Sequence, residues 1–308
     1  MLGTNLTRSE FETLVQRAES APRWLDIDPG RVCAHYNRSG FILSHRLPEH
    51  PLFKLDALFR LCRRMDPRQV KFRFGVVPID AHFDTSLDRF KEGLTLDDAI
   101  EHLEQRRAYI AVYNPERDPE YRPALEGLVG ELGLATRGHE SFFNWYSTYV
   151  FISANDSVTP YHMDREMNFL LQVQGKKTVE LWDPRDDDVM SPAQRDYLFS
   201  HGVDARPTYH NGLAAKAQRF ALEPGLGVHH PFIAPHLVTT GPNVSVSLAI
   251  TFRTPKSDMW SEAHRYNDRL RRYGLGRIPV GEHAVVDAFK ARVMRTVRGT
   301  RAMFDRGA

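Results

Sequence analysis

The sequence is poor in sulfur: among 308 residues, Cys33 and Cys62 are the only cysteines. Two are too few for a disulfide framework, an iron–sulfur cluster or a zinc ribbon. Long apolar runs are missing as well, since the longest, Tyr109–Tyr113 and Val244–Phe252, fall far short of the roughly 20 residues that span a bilayer. The segment MLGTNLTRSEFETL carries neither a basic n-region nor an apolar h-region, so no secretory signal is expected and the cytoplasm is the expected compartment. Charge of one sign is also lacking. Lys and Arg number 41 against 39 Asp and Glu, a net +2, which gives no bulk electrostatic reason to expect nucleic acid as a partner. Residues 289–308 alone sum to +5 and leave −3 for the rest; this cationic end reads as the solvated face of a terminal helix.

Histidine, by contrast, is plentiful, at fourteen. A metal held by this protein must therefore rely on imidazole and carboxylate. With 42% hydrophobic and 26% charged residues, the chain reads as globular, without repeats or low-complexity tracts. The first third suggests helices and irregular connections. Thr7 with Glu10 forms a capping box ahead of a helix over about 8–19, and Leu52, Leu55, Leu58, Phe59 and Cys62 recur at helical spacing. Thr95 stands before Leu96, Ile100 and Leu103 in the same way. From Ala108 the texture changes to AYIAVYN, STYVFIS, NFLLQV, KTVELWD, RFALEPG and VSVSLAITF. Short β-rich runs without regular helices between them predict an antiparallel, jelly-roll-like core. Helical spacing returns with Met259, Trp260, Ala263 and Tyr266, then with Val286, Phe289, Val293 and Val297. The fold class is thus mainly β with flanking helices. It divides into an N-terminal extension (1–100), a β domain (101–255) and a C-terminal helical segment (256–308).

A histidine two residues before a carboxylate occurs three times, where this composition gives about two by chance. His102 and Glu104 fall in a predicted helix, where positions two apart face different ways. His82 and Asp84 have no strand pattern after them. His162 and Asp164 differ, because they lie in extended chain between TYVFIS and NFLLQVQGKKTVELWD, where residues i and i+2 point to one side. If Gln174-Gly175 is a two-residue turn, Gln172 pairs with Lys177, and Asn168, Leu170 and Gln172 share an inward face with Lys177, Val179 and Leu181. An inward lysine needs an anion, because an unpaired buried ammonium is costly. The third ligand should come from His229, His230 or His236. His236, which follows Pro235 and enters a new β-rich run, is favoured, with His230 its main competitor. Two histidines and one carboxylate on one side of a metal leave positions open, as in non-haem Fe(II) oxygenases.

The segment TPYHMDREMNFLLQVQGKKTVELWDP, followed 74 residues after His162 by PFIAPHLV, resembles the JmjC/cupin-like family of iron(II)- and 2-oxoglutarate-dependent oxygenases. The likeness is to the branch containing the asparaginyl hydroxylase of hypoxia-inducible factor, and it covers about residues 100–253. It implies a double-stranded β-helix and Fe(II) on His162, Asp164 and His236. It further implies 2-oxoglutarate as cosubstrate, its remote carboxylate held by Lys177, Thr159 and Tyr109 with Asn168 nearby, and O2 as co-reactant. The second Asn that the branch carries after its distal histidine has no counterpart in VSVSLAITF, which offers Ser245, Ser247 and Ala249.

The implied activity is hydroxylation of a C–H bond in a protein or peptide side chain, or in a small molecule. Arg165 and Tyr161 stand beside the ligands and within reach of a substrate, but an ion pair for the first and a packed ring for the second are the readier explanations. The C-terminal helices, about 257–272 and 283–305, resemble in placement the dimerisation helices of this branch, which implies a homodimer, although the same apolar stripes would equally cover the barrel within one chain. Three other readings stay open: a satisfied polar core, a catalytically silent binding module, and a cupin metalloenzyme that does not use 2-oxoglutarate. Lys177 argues against the last, which has no need of a carboxylate clamp.

Overall fold

A computed structural model of the chain describes residues 3–81, 85–87, 90–91, 93–201, 208–275 and 277–304, with side chains as far as 298. His82 and Asp84 lie outside the described residues, as do Asp305, Arg306 and the side chain of Arg301. The chain forms two units, Met1–Trp182 with Thr208–Arg253, and Asp183–Pro207 with Thr254–Ala308. No helix among the described residues is long and apolar enough to cross a membrane.

The first unit opens with β1 (Thr4–Asn5), α1 (Arg8–Ser20), β2 (Leu25–Asp26), α2 (Pro29–His35), β3 (Phe41–His45), α3 (Leu55–Arg64), β4 (Val70–Arg73) and α4 (Leu96–Glu101). The capping boxes at Thr7 and Thr95 both form. After β5 (Tyr109–Tyr113) and α5 (Arg122–Thr136) come β6 (Trp145–Ser153), β7 (Val158–His162), β8 (Met167–Gln174) and β9 (Lys177–Leu181). The unit closes with β10 (Gln218–Leu222), β11 (Leu226–His230), β12 (His236–Thr240) and β13 (Ser245–Arg253). Every pairing is antiparallel. One sheet runs β2-β3-β11-β8-β13-β6-β5-β4 with β1 on β6, and the other runs β10-β9-β12-β7.

Between the sheets, Tyr149, Leu170, Val228 and Ala249 of the larger pack with Val179, Leu181, Leu222 and Val238 of the smaller. This inner face is the core of a double-stranded β-helix. The larger sheet is also covered outside, where Phe252 stacks on Phe143 at 4.1 Å and Phe143 meets Phe11 of α1 at 5.0 Å. Cover on both faces leaves β6, β8 and β13 buried almost throughout, whereas β9 alternates buried and half-buried residues.

Three expectations change. The first hundred residues are more than a helical extension: β3 pairs with β11 and β4 with β5, so both belong to the larger sheet. The segment 183–207 groups with the C-terminal helices instead of the β domain. The hairpin at Gln174-Gly175 does not form, because β8 pairs with β11 and β13 while β9 pairs with β10 and β12. The chain turns a corner from one sheet to the other. Gly175 serves that corner with φ +69°, and a Cβ there would come within 2.4 Å of the Val244 carbonyl oxygen. The inward parity of β8 and β9 survives because both sheets face the same interior.

The second unit is helical, with α6 (Pro192–His201), α7 (Pro255–Arg272) and α8 (Ala284–Phe304). Asp196 accepts from His264 Nδ1 at 2.9 Å and from Arg271 at 2.7 Å. Phe289, one of the apolar positions that mark the last helical stripe, is exposed.

Candidate metal centre

His162 closes β7 and His236 opens β12, and the two residues are direct cross-strand partners. Their rings lie 4.0 Å apart, centroid to centroid. Asp164 follows two residues after His162, and one donor atom from each of His162, Asp164 and His236 falls within 4.8 Å of the others. His162 Nδ1 lies 2.8 Å from the Pro160 carbonyl oxygen, and His236 Nδ1 lies 3.1 Å from that of Ala234. A carbonyl can only accept, so each Nδ1 carries the proton and each Nε2 keeps its lone pair for a metal. His236 Nε2 is 3.8 Å from Asp164 Oδ2, and the Asp164 side chain, 27% exposed, marks the open side of the group. This donor set, with ring orientations fixed from behind, fits a first-row divalent ion with open coordination positions.

The other end of the barrel is cationic. Lys177 on β9 is buried, and burial lowers its pKa from 10.5 to about 7. Its ammonium donates to Ser247 Oγ at 2.5 Å, Ser247 donates to Gln172 Oε1 at 2.9 Å, and Gln172 Nε2 donates onward to Ser245 Oγ at 2.9 Å. Among the described residues no carboxylate pairs with this ammonium. Tyr109 and Thr159 meet nearby, their hydroxyl oxygens 3.4 Å apart. The Tyr109 ring stands 6.1 Å from that of Phe151, over which the Lys177 ammonium lies at 6.0 Å. The register joins the two ends: β12 pairs with β9 through His236↔Leu181 and Thr240↔Lys177. Four residues of strand, about 13 Å, therefore separate the His236 and Lys177 levels.

Several residues at these ends escaped the sequence reading. Arg73 is fully buried, donates to the Val158 carbonyl at 2.6 Å, and lies over the Tyr109 ring at 4.6 Å; its strand, β4, was not predicted. Glu166, half-buried two residues beyond Asp164, is pushed up to about 7 by burial and by the Asp164 carboxylate, against the pull of Arg253 and Arg165. Its position on the same parity as Asn168 could have flagged it.

The remaining candidates separate clearly. Tyr161 is a packed ring against Trp182 at 5.1 Å and Tyr209 at 5.7 Å. Arg165 donates its backbone N–H to Glu166. His102 and Glu104 are exposed. His229 points away from the barrel interior and stacks on Tyr36 at 5.0 Å. His230 points inward, edge-on to His236 at 4.7 Å, and is not one of the three convergent donors. The turn between β11 and β12 places Ile233 at φ +55°, a left-handed conformation that costs a β-branched residue roughly 1–3 kcal/mol.

The family described as Cupin-like domain matches residues 71–273. Among curated proteins, no sequence matches this chain. Of the solved structures, the Escherichia coli ribosomal oxygenase YcfD is similar at 15% identity, covering 88% of this chain and 66% of that one, with a TM-score of 0.46. This chain thus spans just under two thirds of that protein's chain. The YcfD structure in complex with cobalt and 2-oxoglutarate shares 15% identity over 89% and 67% of the two chains, TM-score 0.46. DMSP lyase DddQ from Ruegeria pomeroyi DSS-3 shares 16% identity over 35% and 38%, TM-score 0.23.

Proposed function

The chain belongs to the Cupin-like domain family, and on that premise we propose that it is an Fe(II)- and 2-oxoglutarate-dependent oxygenase. Its substrate is a protein or peptide side chain, or a small molecule, that presents an unactivated C–H bond. The observation that carries this reading is a pairing within one barrel. Two histidines and an aspartate converge at one end, and a buried lysine with no carboxylate partner among the described residues stands at the other.

His162, Asp164 and His236 would hold the metal through Nε2, a carboxylate oxygen and Nε2. Bound there, Fe(II) supplies the oxidising chemistry, by which O2 and 2-oxoglutarate are converted to succinate and CO2 as the substrate gains a hydroxyl. The residues of the chain bind, orient and exclude water. Lys177 receives the remote carboxylate of 2-oxoglutarate as a charge-assisted pair, with Thr159 and Tyr109 beside it. The apolar waist of Leu170, Val179, Leu181, Val238 and Ala249 keeps the span between metal and lysine dry and raises the strength of both polar ends. Substrate approaches from the exposed side of Asp164.

Lys177 argues against a cupin metalloenzyme that does without 2-oxoglutarate, because its ammonium then lacks a counter-charge. The test is anaerobic addition of 2-oxoglutarate to the Fe(II)-loaded protein. A visible charge-transfer band is expected, and succinate should appear once oxygen is admitted. A folded, iron-loaded protein without the band overturns the reading, whereas the band without succinate marks a binding module.

A further inference from the structure

Two adjacent histidines on β11 receive opposite treatment. His229 is buried with both ring nitrogens in use: Nδ1 lies 3.1 Å from the Asn168 carbonyl oxygen, and Nε2 accepts from the Asn37 backbone N–H at 3.2 Å. His230, one residue on and on the opposite face, is 3% exposed. Among the described residues, neither Nδ1 nor Nε2 of its ring has a hydrogen-bond partner. Its direct cross-strand neighbour is Asn168, also buried, whose Oδ1 is likewise without a partner.

Buried polar groups are nearly always bonded, and an orphan calls for a specific explanation. His229 shows that this fold does satisfy a buried imidazole in the same strand. The position of His230 supplies the explanation. Its ring meets that of His236 edge-on at 4.7 Å, and the Pro231–Ala234 turn, closed by the Ala234 N–H to Pro231 carbonyl bond of 3.1 Å, folds the two histidines toward each other. His230 therefore stands beside the candidate metal centre without belonging to its donor set.

Resting on the oxygenase reading, we infer that His230, with Asn168, binds the metal-chelating carboxylate of the 2-oxo acid. A carboxylate that chelates through one oxygen leaves a second oxygen in need of donors. In any protonation state the imidazole has at least one N–H, and rotation of the Asn168 amide brings its NH2 to the same place. Lys177 recognises the far end of the same molecule, so the two contacts separate by ligand. Oxalate has the chelating head and no remote carboxylate; 2-oxoglutarate has both.

The test uses the full chain, loaded anaerobically with Fe(II), and measures the affinity of oxalate and of 2-oxoglutarate by calorimetry, with iron affinity measured separately. His230→Leu is expected to weaken both anions about tenfold, the scale of an outer hydrogen-bonding partner, with iron affinity unchanged. His230→Gln, which keeps a donor, should restore most of the loss, and Lys177→Met should weaken 2-oxoglutarate alone. Unchanged oxalate affinity in folded His230→Leu overturns the inference and leaves the oxygenase reading standing. Loss of iron affinity by the same factor also overturns it, because His230 then acts only through His236. If His230→Leu does not fold, His230→Gln decides, since oxalate binding lost in that variant contradicts the donor role. A wild type that binds oxalate but not 2-oxoglutarate sinks the oxygenase reading, while the oxalate response of His230→Leu still decides this one.

Discussion

The two ends of the barrel use the same strands and the same alternation, yet they handle polar groups in opposite ways. At the lysine end the polar groups are tied into a relay: Lys177, Ser247, Gln172 and Ser245 are joined in series, and Gln172 Nε2 also reaches the carbonyls of Gln174 and Gly175, while Ser153 Oγ, across from Ser245, has no partner among the described residues. Among the described residues, no carboxylate there balances the ammonium. At the metal end carboxyl groups are present, in Asp164 and Glu166, while His230 and Asn168 lack bonds among the described residues. A bonded relay with an unbalanced charge calls first for a counter-ion. Unsatisfied polar groups around a carboxylate-bearing triad, an imidazole with an N–H to give and an amide free to turn, call for a cation together with a polar ligand. The barrel is thus polarised along its length, and an acid with two carboxylates suits it in one orientation once a divalent ion is seated.

Breaking the metal end should have the largest effect. His236→Ala is expected to lower Fe(II) affinity more than about 100-fold, beyond the loss of an outer partner, as read by metal titration; a smaller loss would mean that His236 is not a ligand. Breaking the lysine end comes next. Lys177→Met should weaken 2-oxoglutarate about 10- to 100-fold, the value of a hydrogen bond to a charged group, with iron affinity intact. The ligand-free protein should not be destabilised, because an unpaired buried charge has been removed.

A pH series sharpens the contrast. Lys177 falls from 10.5 to about 7 on burial. Between those values the unfolded chain holds a proton that the folded one lacks, so ligand-free stability should rise with pH across that window. Binding of 2-oxoglutarate needs the charged lysine and should weaken over the same range, by up to about tenfold per pH unit. Opposite slopes in melting and titration experiments are expected, and both should vanish in Lys177→Met. The smallest change is Ser247→Ala, which removes one relay member and should weaken 2-oxoglutarate about three- to tenfold; equal weakening of oxalate would contradict its assignment to the lysine end.

Much of the site was legible before the fold was known, because strand alternation alone puts His162 with Asp164, and Asn168 with Gln172, on shared faces. Pairing was not legible. Nothing local distinguishes a hairpin from a corner at Gln174-Gly175, since a glycine at positive φ serves both, and only the long-range partners of β8 and β9 decide. β3 and β4 were missed because FILSH and VKFR are too short to stand out, and Arg73 was lost with β4. His230 read as a rival for His236 because spacing cannot say which of two inward histidines reaches the metal and which stands beside it.

The register between β9 and β12 limits how this cavity can evolve. Slipping β9 by one residue would turn Lys177 out of the barrel and bring its neighbours in. The smallest slip that keeps the lysine inside is two residues, which moves it by about 6.6 Å, more than a single methylene adds to an acyl chain. The preferred length of the diacid can therefore change only in coarse jumps, or by trading one side chain for a longer or shorter one. The corner at Gly175 thus works as a detent, holding the chain to one chemical size while the surface around Asp164 is free to drift toward new substrates.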